Sequence, residues 1–73
     1  MALTLAQEEQ DAYERGMKLE EADLAMAAVM ADMRLAGTWP KRRPAVKGKE
    51  RTRLLARQKG INRAWEERFG TQQ

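Results

Sequence analysis

LEEADLAMAAVMADMRLAG, residues 19–37, decides the fold. The stretch has no proline and one β-branched side chain, Val29. Ala, Leu, Met and Glu fill most of it, and these residues lose little freedom in a helix. Glu20, Glu21 and Asp23 stand where a helix N-terminus favours acids. Gly37, followed by Pro40, marks the end. At about 100° per residue, Leu24, Ala28, Ala31 and Leu35 form one stripe with Ala27 beside it. Ala22, Met26, Val29, Met30 and Met33 form a second stripe on nearly the opposite side. A helix apolar on two faces needs two neighbours. The small alanines suit close approach by another helix, and the methionine face needs the carboxy-terminal half or a different protein. Met26, Met30 and Met33 read as core in so short a chain. A docking face is the other reading, because thioethers adapt to irregular surfaces.

Upstream, Thr4 and Gln7 match a capping box, and Leu5, Ala12, Tyr13 and Met17 recur at helical spacing. Gly16 is expected to end this first helix, or else to bend a single long one. Downstream, Thr38 to Lys49 holds both prolines, a glycine and five bases, so it reads as an extended basic linker. Trp39 there has two readings: it stacks on a base or fills a partner's pocket, or it folds back over the second helix. From Glu50 helical pattern resumes, with Leu54, Ile61, Trp65 and Phe69 on one stripe and Leu55 and Gln58 at its edges. Arg53, Arg57 and Arg68 flank it on one side, Lys59 and Arg63 on the other. Gly60 is either an interior glycine costing about 1 kcal/mol relative to alanine, or a turn. With a turn, residues 51–68 take on a helix-turn-helix look suited to a DNA-binding repressor.

The fold class expected is therefore all-α. It comprises two acidic, Ala/Met-rich helices in residues 1–37, a proline-containing basic linker in 38–49, and a basic amphipathic helix in 50–73, continuous or broken at Gly60. Of the 73 residues, 42% are hydrophobic but twelve are alanine, so the core is thin for a chain near the size limit of independent folding. No cysteine and no histidine are present, which removes disulfides, thiolate zinc sites and the usual general base. The adjacent pairs Glu8–Glu9, Glu20–Glu21 and Glu66–Glu67 diverge by about 100° on a helix and read as surface charge, not acid/base couples. Neither a phosphate-cradling glycine loop nor a membrane-length apolar run occurs. The chain is expected to be a non-enzymatic, cofactor-free, cytoplasmic monomer that does not engage membranes.

The net charge of +3 conceals opposed halves. Residues 1–37 hold eight acids and three bases (−5), and residues 38–73 hold eleven bases and three acids (+8). Such halves either attract each other or offer the basic one to a polyanion. The density of bases around Trp39 and Trp65 favours the second reading. The expected partner-binding residues are Met26, Met30, Met33, Trp39, Arg42 and Arg43. The expected electrostatic or nucleic-acid contacts are Lys47, Lys49, Arg51, Arg53 and Arg57.

This layout, with its Ala/Met/Glu-rich amino-terminal helices and the tract Trp39-Pro-Lys-Arg-Arg-Pro44, resembles the small transcription regulators of the Xanthomonas phage type that bind host RNA polymerase. The resemblance covers the chain in outline. It implies inhibition of initiation and antitermination without catalysis, in the host cytoplasm. It also implies docking on bacterial RNA polymerase near β′ and the RNA exit path, where nascent RNA or DNA is a further contact.

Overall fold

The computed structural model describes residues 4–42 and 44–70. Three helices account for the described fold, α1 (Leu5–Lys18), α2 (Glu21–Ala36) and α3 (Gly48–Phe69), with no strand among the described residues. The all-α class is as expected.

Local chemistry sets the helix ends. Thr4 caps α1: its Oγ1 accepts from the Gln7 N–H at 3.1 Å, and its own N–H donates to Gln7 Oε1 at 2.9 Å. Gly16, however, does not stop the helix. α1 runs on to Lys18, and Leu19 caps it in extended conformation. Gly16 is buried in a helix contact instead. α2 ends as its sequence predicts. Gly37 turns left-handed (φ 78°), its N–H bonds to the Arg34 carbonyl at 3.1 Å, and the Thr38 N–H reaches back to the Met33 carbonyl at 2.9 Å. α3 begins at Gly48, two residues before the expected start, and continues through Gly60 without a break. The helix-turn-helix reading of residues 51–68 needs a turn there, so the unbroken helix removes it.

Paired contacts give the topology. Glu8 meets Arg53 and Arg57, Gly60 abuts Ala12, Gly16 abuts Ala64, and Arg68 reaches the end of α1. Residue numbers rise together, so α1 and α3 run parallel. α2 runs antiparallel to α3: Leu24 lies against Gly16 near Ala64, while Asp32 bonds to Gln58. α2 rests chiefly on α3 and meets α1 near Leu24 and Gly16, so the helix that its apolar stripe receives is mainly α3.

The α1–α3 seam depends on small residues. A Cβ built on Gly60 would lie 2.2 Å from the Glu9 carbonyl oxygen and 2.9 Å from Ala12 Cβ. One built on Gly16 would lie 2.7 Å from Ala64 Cβ. The backbones touch at this point, and Gly60 is the reason they can. The propensity cost of an interior glycine is offset by packing that no other residue permits.

The buried apolar residues are few: Ala12, Leu24, Leu35, Val46 and Ala64. Leu24 and Leu35 come from the predicted stripe of α2. Val46, in the segment expected to be a hydrated linker, was not anticipated. On α3 the predicted stripe (Leu54, Ile61, Trp65, Phe69) is only half-buried, and the fully buried positions are its small neighbours Gly60 and Ala64. Trp65 and Phe69 stack on each other with centroids 4.7 Å apart.

Candidate functional site

Charge is first used inside the fold. Glu8 is 4% exposed, and its Oε2 takes Arg53 Nε at 3.3 Å and Arg57 Nε at 3.5 Å. Glu9 takes Arg63 Nη1 at 2.9 Å and Lys59 Nζ at 3.9 Å. The Arg63 guanidinium also lies 4.5 Å from the Tyr13 ring centroid. Arg68 donates to the carbonyls of Gly16 (2.9 Å) and Leu19 at the end of α1, where the Gly16 carbonyl also takes the Leu19 N–H at 3.4 Å. The five bases flanking the α3 stripe all bind α1. This corrects one expectation and narrows another. Glu8 is a buried anchor and not surface charge, and Arg53 and Arg57 give their Nε atoms to it, which leaves their terminal donors for an outside partner.

The Glu8 anchor carries a prediction. Glu8→Gln removes the charge that two guanidinium groups share, although both arginines stay exposed enough to rehydrate (side chains 60% and 44% accessible). The expected loss is about 1–2 kcal/mol, and a thermal melt is expected to fall by about 4–16 °C in a domain of this size.

The bases that remain form a different set. Lys41, Arg42, Lys47, Lys49 and Arg51 are exposed, and none forms an ion pair with another described residue. Arg43, also expected to bind a partner, lies outside the described residues. The tract is fastened to the body at Trp39 and at Val46. Trp39 is half-buried with the Arg34 guanidinium 4.9 Å from its ring centroid, and Val46 is 7% exposed. Of the two readings of Trp39, folding back toward α2 is the one observed. Lys41, Arg42 and Lys47 are thereby displayed from a loop tied to the body, and Lys49 and Arg51 from the first turn of α3 that follows it.

The methionines do not behave as core. Met26 is 55% exposed and Val29 53%, while Met30 and Met33 are half-buried. α3 covers the Leu24–Leu35 stripe, and α1 does not reach round to the other side. The core reading of this face is thus overturned for Met26, and the face is open.

A third feature was not anticipated. Because α1 and α2 stand apart, a groove of about 270 Å³ opens between them over α3. Ala12 and Leu19 line it from α1, Ala27, Met30 and Ala31 from α2, and Leu54 and Ile61 from α3. Arg15, Arg34 and Arg57 stand around it with Glu8 and Asp11. A second concavity of about 290 Å³ adjoins it past Leu54, bounded by Arg34, Pro40, Glu50, Arg53 and Arg57. The sequence marked Ala27, Ala31, Leu54 and Ile61 as apolar stripes but carried no sign that the helices bearing them diverge.

Among the described residues no cluster of three or more acidic, histidine or cysteine side chains is placed to hold a metal ion, and no helix is long and apolar enough to cross a membrane. Compared with known proteins, the chain matches no family model, no curated sequence and no solved structure.

Proposed function

We propose that this chain is a non-enzymatic transcription regulator that binds bacterial RNA polymerase and alters initiation and termination. The observation that carries the reading is the anchored basic tract, with five exposed cations that the fold does not neutralise. A domain this thin has used every other base of α3 to hold α1. Leaving these five without an ion pair to any described residue, on a tethered loop and the first turn of α3, favours an acidic surface outside the chain. The open face of Met26 and Val29 adds apolar area of the kind that forms the centre of a protein interface.

The outline resemblance to phage polymerase regulators supplies the identity of the partner and the neighbourhood of β′ and the RNA exit path. A small protein redirects a large enzyme when it binds one of its states better than another. Held beside an exit path, the basic tract also meets emerging RNA. The chain acts as a monomer in the host cytoplasm.

Two measurements test this. The tagged chain is expected to retain purified bacterial RNA polymerase and to change promoter-dependent initiation and terminator read-through in a defined transcription reaction. Sequence-specific binding to duplex DNA by the chain alone, with no retention of polymerase, would replace the reading with that of a repressor.

The methionine face gives a sharper form of the test. Met26→Glu exchanges one good helix former for another at an exposed position, so stability is expected to stay within about 0.5 kcal/mol. Polymerase retention is expected to weaken about tenfold, corresponding to about 1.4 kcal/mol at an interface centre. An unchanged affinity measured by surface plasmon resonance removes this face from the interface.

A further inference from the structure

The groove between α1 and α2 is idle in the contacts described so far. Its floor and walls are small or apolar: Ala12, Ala27, Met30, Ala31, Leu54 and Ile61. With five buried apolar side chains among the described residues, the fold leaves about 270 Å³ of such space open. An unfilled apolar cleft forfeits packing contacts that this domain has every reason to make. Filling it from within needs no more than larger residues at Ala27 or Ala31.

The charges at the mouth indicate what fills it. Asp11 is taken by Arg15 at 3.2 Å. Glu8 is shared by Arg53 and Arg57 through a single oxygen, Oε2, at their Nε atoms. Both arginines therefore keep their terminal Nη donors for another acceptor, in the geometry that suits a carboxylate. Arg34 has no ion pair with a described residue and lies over Trp39. Arg34 and Arg57 border both the groove and the adjoining concavity, in which the one acid is Glu50. Guanidinium donors thus outnumber carboxylates along an apolar cleft. A basic helix is repelled there, and a neutral one leaves these donors without acceptors.

We infer that the groove receives an acidic amphipathic helix of the partner protein. One large apolar side chain enters between Ala27, Ala31, Leu54 and Ile61, and flanking carboxylates bind Arg34 and Arg57. This is the helix-in-groove mode, with Met30 adapting to the anchor. The inference rests on the reading of the chain as a docking protein and adds a second, chemically distinct contact to the basic tract.

The test uses the full chain with labelled methionine methyls and a short helical peptide bearing leucine at every third or fourth position and glutamate elsewhere. A matched peptide with lysine for glutamate is the control. The acidic peptide is expected to shift the Met30 methyl and leave Met17, which lies outside the groove, in place. The lysine peptide is expected to shift neither methyl. Ala31→Leu fills the groove from within, so it is expected to melt at the same or a higher temperature and to bind the acidic peptide at least tenfold more weakly. Arg34→Gln, which breaks no ion pair with a described residue but gives up the contact with Trp39, is expected to weaken the peptide several-fold while lowering the melting temperature by no more than a few degrees.

Failure of the acidic peptide to shift Met30, equal shifts with the lysine peptide, or undiminished binding by both variants overturns the inference. A Met30 shift produced by concentrating the chain alone also overturns it, and assigns the groove to a second copy. None of these readouts contains polymerase. A failure here is therefore separate from a failure of polymerase retention, which is read on the basic tract.

Discussion

Gly60→Ala is expected to cost the domain more than half of its stability, although alanine is the better helix former by about 1 kcal/mol. The new methyl would sit 2.2 Å from the Glu9 carbonyl oxygen and 2.9 Å from both Ala12 Cβ and the Tyr13 amide nitrogen. Two of those neighbours are backbone and cannot rotate away. To restore ordinary contact, α1 must retreat by on the order of 1 Å along its length. That retreat loosens the contact of Gly16 with Ala64 and lengthens the ion pairs of Glu8 and Glu9 together with the Arg68 bonds. The seam is lost as a unit. Against a total stability of about 5 kcal/mol for a domain of this size, a loss of about 3 kcal/mol leaves a margin of about 2 kcal/mol, which mild heating removes. The expected fall in Tm is on the order of 15 °C or more, followed by circular dichroism at the tryptophan band.

The neighbouring glycine makes this a graded test. Gly16→Ala meets Ala64 Cβ at 2.7 Å and Leu24 Cδ1 at 3.2 Å, both side-chain atoms, so its cost is expected to be smaller. Ala64→Gly removes the first of these. The double variant is expected to recover much of the loss, a coupling that a double-mutant cycle measures directly. A Gly60→Ala protein as stable as the parent would mean that the two backbones do not touch.

This seam also shows where the sequence was legible and where it was not. Helix content, the Thr4–Gln7 cap and the Gly37 stop were all readable, because each depends on residues a few places apart. Gly16 misled for the same reason. Local chemistry makes a glycine near a helix end look like a terminator, and only α3 alongside, with Gly60 and Ala64 in matching register, makes it an interface residue. Ala12-x-x-x-Gly16 and Gly60-x-x-x-Ala64 are complementary patterns 48 positions apart, and nothing in either names the other. Glu8 follows the same logic. One of two adjacent glutamates looks solvent-facing until Arg53 and Arg57 arrive from the far end of the chain. The charge asymmetry between the halves was plain, but its division into an internal share and an external share required the topology. Val46 was hidden by its neighbours, being a single apolar residue among prolines and bases that the fold nonetheless buries.

The external share is what the second large effect measures. Replacing Lys41, Arg42, Lys47, Lys49 and Arg51 together with glutamine is expected to leave Tm nearly unchanged, since all five are exposed and form no ion pair with a described residue. Arg43 stays as it is. Polymerase retention is expected to fall about sixtyfold: five surface charges at about 0.5 kcal/mol each sum to about 2.5 kcal/mol. Most of that loss is expected in the association rate, because charges at the rim of an interface steer encounter more than they hold the complex. Tethering at Trp39 and Val46 strengthens the expectation, as the cations are presented without the ordering cost of a free tail. Ionic strength separates the two shares. Added sodium chloride is expected to slow association of the parent and to affect the glutamine variant little. Melting of the two is expected to respond to salt alike, because both retain the Glu8 and Glu9 pairs. If salt lowers the melting temperature of the isolated chain while polymerase capture stays constant, the charge of the carboxy-terminal half serves the α1–α3 seam alone, and the basic tract is no docking element.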